Sequence, residues 1–187
     1  MPDQLCLSIW LRSFSGETML RRFEDMLRAF PFSRLRPGIS TFRVHAIDYS
    51  EAPLIEHAFG QDADIEAVLE LAGDFENPDC AYTLECWWDL FQYQQDWKLA
   101  PSRVTLVCHG PQFETVERDH LRVEFGPEEA FLPQPGVPGA AMAIESNLKS
   151  VLRLAHDLEQ SLPVERRSLW SESGENFVDR LDEAFSE

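Results

Sequence analysis

The residues best equipped for chemistry lie on one short stretch, Tyr82 to Phe91. Read as a strand, its alternation puts Tyr82, Leu84, Cys86, Trp88 and Leu90 on one face and Thr83, Glu85, Trp87, Asp89 and Phe91 on the other. Trp87 then stands between two carboxylates. An aromatic ring flanked by negative charge suits a cationic ligand, or an Arg or Lys from a partner. Tyr93 and Trp97 follow at the tip of the expected hairpin, so Glu85, Trp87, Asp89, Tyr93 and Trp97 form the first candidate binding set. The competing expectation is that C-terminal helices cover this face and bury Trp87, as they do most large aromatics.

A second candidate is a pocket of Arg43, His45, Glu85 and His109 on the same open face. By alternation Ser8, Trp10, Arg12 and Thr105 also point there. A histidine beside a carboxylate is the raw material of general acid–base catalysis. The plainer expectation is a solvated polar face, which alternation produces anyway.

Other chemistries lack their signatures. His57, His120 and His156 each adjoin a carboxylate, but adjacent residues point apart on a strand or helix. No H-E-x-x-H, cysteine cluster or EF-hand loop occurs, so neither a metal nor a cofactor is expected. Cys108 and His109 would face opposite sides of a strand, and the nine glycines form no phosphate-binding loop. These absences lean the reading away from an enzyme.

Charge sets the broader frame. From Val44 to Trp97 there is no Lys or Arg among 54 residues, against thirteen carboxylates. The whole chain has a net charge of −17, from 16 basic and 33 acidic residues. Such a field argues against nucleic-acid and anionic-membrane partners, which are bound through Lys and Arg. It favours a basic protein partner, steered into an acidic and aromatic patch as inhibitor- and immunity-type proteins do. Two alternatives stand beside this: a small-molecule-binding domain or enzyme with its pocket on the open sheet face, and a homo-oligomer subunit. Four cysteines without C-x-x-C spacing, and no basic, apolar leader, point to a reducing, cytoplasmic setting.

The elements that must position these residues read as β-α-β-α-β-β-β-α-α. Strands are expected at Leu5–Arg12, Thr41–Ile47, Tyr82–Phe91, Arg103–His109 and Leu121–Phe125, with a Gln-rich hairpin tip over Gln92–Ala100. Helices are expected from Ser15 to Pro31, Asp62 to Ala72, Ala141 to Leu162 and Glu175 to Phe185. Residues 50–60 read as irregular and 127–140, rich in Pro and Gly, as a loop or linker between a sheet domain, 1–126, and C-terminal helices, 141–187, packed on it. The expected fold is α+β: a mostly antiparallel or mixed sheet of about five strands with helices mainly on one face, a two-layer sandwich, ferredoxin-like in style.

Overall fold

Leu5, Leu7, Ile9 and Leu11 alternate with Cys6, Ser8 and Trp10, and the first set is buried in the core. That alternation is β1 (Gln4–Leu11) of a computed structural model that describes residues 3–132, 136–172 and 177. The chain continues as α1 (Gly16–Ala29), β2 (Ile39–Ala46), β3 (Ile55–Ala58), α2 (Ile65–Gly73), β4 (Cys80–Tyr93), β5 (Trp97–His109) and β6 (Leu121–Pro127). A 3-10 turn (Glu128–Phe131), α3 (Ala140–Ser161) and β7 (Val164–Ser171) complete it. The strands form one antiparallel sheet in the order β3-β2-β4-β5-β6-β1-β7. The α+β class holds, with the helices on one face of an open sheet; the ferredoxin-like arrangement is not shown by this order.

Local chemistry sets the helix limits. The Thr18 hydroxyl accepts from the Ser15 N–H at 3.0 Å, and Pro31 follows shortly after the last turn of α1. Asp64 caps α2 by accepting from the Ala67 N–H at 3.0 Å. Helix α1 buries Met19, Phe23, Met26 and Leu27 in a core that includes Phe42 and Tyr82. Trp88 lies between Phe30 and Phe125, with ring centroids 6.0 and 5.2 Å away. Residues 127–140, read as a loop or linker, include the 3-10 turn, whose Phe131 is fully buried.

Seven strands stand where the pattern suggests five. The four-residue β3, inside the segment expected to be irregular, is too short and too exposed to show alternation. Pairing to β2 and the Arg43–Glu56 ion pair hold it at the sheet edge. Strand β7 is hidden in sequence by its Glu165-Arg166-Arg167 run, which an edge strand tolerates because its outer side meets water. The β4–β5 tip is tighter than expected, because β5 already begins at Trp97 and runs through Pro101. Pro101 is accommodated because β6 pairs with β5 only from Thr105 onward, so β5 is an edge there. The last expected helix, Glu175–Phe185, lies outside the described residues except Phe177, which is buried.

Candidate functional site

Strand register fixes what stands on the open face. One row runs Thr41, Glu85, Thr105, Glu124, Cys6 and Trp170 across β2, β4, β5, β6, β1 and β7. The adjacent row runs Arg43, Thr83, Val107, Arg122, Ser8 and Ser168. Among the described residues no helix lies over these rows. Instead, three tryptophans on this face each carry an arginine. Arg166 stacks on Trp10 at 3.7 Å, Arg36 and Arg103 on Trp87 at 3.9 and 5.4 Å, and Arg122 on Trp170 at 5.6 Å, each measured to a ring centroid.

The first candidate set divides. Trp87 is half-buried, with the chain's own Arg36 and Arg103 against its ring. Glu85 accepts from Arg43 at 2.6 Å and lies 3.8 Å from Arg103. Asp89 holds the α1–β2 connection, accepting from the Ser33 hydroxyl at 2.5 Å and the Arg34 N–H at 2.8 Å. Glu85 and Trp87 therefore already meet arginines of the same chain, and Asp89 is engaged by neutral donors. Tyr93 and Trp97, with ring centroids 5.4 Å apart, stand together at the hairpin tip.

The second set also separates. Arg43 pairs with Glu85 and Glu56. His45 and His109 gather instead about Tyr49, whose ring lies 5.0 Å from His45 and whose hydroxyl is 3.0 Å from His109 Nε2. Behind His109 is a buried network that sequence spacing did not reveal. His109 Nδ1 lies 3.0 Å from the Asp119 carbonyl oxygen and 3.2 Å from its carboxylate. Asp119 also accepts from the Ser8 hydroxyl at 2.6 Å and from Arg122 at 2.7 and 2.8 Å. Burial alone would push the Asp119 carboxyl up, but the bonds and charges of His109 and Arg122 outweigh it and hold the group well below the usual carboxylate range. Beside the network is a cleft of about 860 Å³ lined by His109, His120 and the 110–118 loop. The His120 imidazole is turned inward, its Nδ1 accepting from the Leu11 N–H at 2.9 Å.

A second cleft, about 560 Å³, opens where the long β4–β5 hairpin overhangs the end of β6. Its walls include Phe91, Tyr93 and Trp97, and Arg103, Thr105 and Glu124 belong to its lining. Three local features hold it in shape. Gly126, at φ +88°, bends the chain out of β6, a conformation that glycine adopts without strain. Asn147 of α3 accepts from the Phe91 N–H at 2.8 Å and donates to the Phe91 and Ala130 carbonyls at 2.9 and 3.0 Å. The Trp97 indole N–H donates to the Pro138 carbonyl at 3.0 Å. Arg103 and Glu124 escaped the candidate sets. Glu124 alternates outward between Val123 and Phe125, but single-strand alternation does not reveal that β6 lies beside β5.

Among the described residues no group of three or more His, Cys, Asp or Glu could hold a metal ion. The four cysteines are free and buried. No helix among the described residues is long and apolar enough to cross a membrane. No family model matches the chain, nor does any curated protein or solved structure.

Proposed function

We propose that this protein is a non-catalytic small-molecule-binding domain whose ligand sits on the open sheet face, in the cleft between the β4–β5 hairpin and β6. The observation that carries this reading is the cleft itself. It is concave, its volume of about 560 Å³ is in the range of small-ligand sites, and it joins aromatic walls to a few charged groups. The Asp119–His109 contact favours binding over catalysis, because its groups are engaged by Ser8, Arg122 and Tyr49. A ¹⁵N-labelled sample screened against a mixed metabolite library tests the reading. Hits should shift the amides of Phe91, Thr105 and Glu124 and the indole of Trp97. Hits confined to the 110–120 loop, or none at all, would overturn it.

The exposed acids of the α2 region, Asp62, Asp64, Glu66, Glu70, Asp74 and Glu76, favour a second reading, a basic protein partner steered by charge. In that case the contact falls on the α2 side rather than on Glu85, Trp87 and Asp89. Pull-downs from the native host at low and high salt test it, and absence of a salt-sensitive partner counts against it.

A further inference from the structure

The lining of the hairpin cleft holds the opposite charges Arg103 and Glu124 together with the exposed Glu129, and the first two are poorly matched by the rest of the protein. Arg103 is the better exposed, with its side chain 63% accessible. Its nearest carboxylate is Glu85 at 3.8 Å, and Glu85 is engaged more closely by Arg43 at 2.6 Å. The Arg103 guanidinium rests near the Trp87 ring, a contact that leaves its N–H edge free to donate.

Glu124 is the other charge. Its nearest cation is Arg122 at 3.8 Å, beyond hydrogen-bond range, and Arg122 is committed to Asp119. The Glu124 side chain keeps about a third of its surface accessible, 35%. Burial raises its carboxyl above the ordinary value, and Arg122 offsets this only in part. The fold thus holds Glu124 without a close cationic partner of its own.

The register places these two groups in one site. Thr105 is directly opposite Glu124, and Arg103 is two residues along β5 on the same face, a diagonal neighbour. Diagonal neighbours on a sheet are within reach of long side chains. Here Arg103 leans toward Glu85 and Trp87, while Glu124 lies nearest Arg122. Phe91, Tyr93 and Trp97 stand over the cleft from the hairpin arm.

Building on the small-molecule reading of this cleft, we propose that its ligand is a small zwitterion with an apolar or aromatic body: Arg103 binds the anionic group, Glu124 the cationic group, and the rings of Phe91, Tyr93 and Trp97 hold the body. A neutral apolar ligand would leave both charges desolvated without partners, and a singly charged one would leave one of them so. A zwitterion answers both. The rings add stacking, and attraction for a cation close to their faces.

Calorimetric and NMR titrations of the full chain test this with five probes. Phenylalanine carries its two charges close together, whereas 6-aminohexanoate and 4-(aminomethyl)benzoate carry them far apart. The single-charge controls are 3-phenylpropionate and 2-phenylethylamine. At least one zwitterion should bind saturably, and the controls should bind about tenfold or more weakly, the scale of a lost hydrogen bond to a charged group. Glu124→Gln should abolish the preference for the zwitterion over the acid, and Arg103→Gln the preference over the amine. Both variants should remain folded by circular dichroism, since Glu124→Gln removes a carboxylate that burial disfavours and Arg103 is well exposed. Controls that bind as tightly as the zwitterions would overturn the proposal. So would failure of all three zwitterions while the library screen still finds cleft ligands, an outcome that leaves the small-molecule reading intact. If nothing binds the cleft in either experiment, both readings fall.

Discussion

At the scale of single residues, Asp119 is a buried carboxylate that meets two cationic-type partners and a hydroxyl. It holds Ser8, His109 and Arg122 together at the junction of β1, β5 and β6. Removing one partner of a buried charge pair leaves the other uncompensated, so Asp119→Ala should cost about 3–5 kcal/mol in urea unfolding. The pH dependence follows from the direction of its shift. A carboxyl whose folded value is depressed contributes fully above its unfolded value of about 4. That contribution is lost as pH falls through the unfolded value toward the folded one. The urea midpoint of the wild type should therefore drop steeply in acid, and that of Asp119→Asn less steeply. An equal acid slope in both would show that Asp119 is not the group responsible.

At the scale of elements, the outer part of the β4–β5 arm is tied to α3 as well as to the sheet. Asn147 meets both polar groups of Phe91 and the Ala130 carbonyl through one side chain. Asn147→Ala should leave those groups without partners and destabilise the protein by about 2–3 kcal/mol. The amide of Phe91 should then exchange with deuterium faster than its neighbours in the lower part of β4. Uniform acceleration across β4 would mean that the arm is not a separately anchored unit. This dependence also explains what the sequence made legible. Tyr82 to Phe91 alternates so regularly that the two faces of β4 could be read directly, and the helix between Ser15 and Pro31 was legible from its periodicity. The partners of Glu85, Trp87 and Asp89 could not be read. Arg43, Arg36, Arg103 and Ser33 reach them through strand order and a loop path, and periodicity encodes neither. Tyr93 and Trp97 are legible as tip residues, but their cleft depends on Gly126 and Asn147, which lie far away in sequence.

At the scale of the whole molecule, charge and topology act separately. The acids of the basic-free stretch crowd α2 and its flanking loops, whereas the open sheet face alternates Arg with Glu. A net −17 repels itself, so raising salt should stabilise the fold rather than loosen it. The urea midpoint should rise between about 0.01 and 0.15 M NaCl, as the screening length falls from about 30 to 8 Å. A falling midpoint would mean that the internal ion pairs outweigh the repulsion. The strand order has a consequence of its own during synthesis. Of the described strands β1 is made before all the others, yet its two neighbours, β6 and β7, are made last. From Leu11 to Leu121 about 110 residues must emerge before β1 can pair, roughly 5–20 s at ordinary elongation rates. Through that interval Leu5, Leu7, Ile9 and Leu11 form an apolar strand with both edges open, while β2 to β5 are already able to pair. The nascent chain therefore passes through a stage in which β1 is unpaired, and the described sheet closes from its last strands back onto β1.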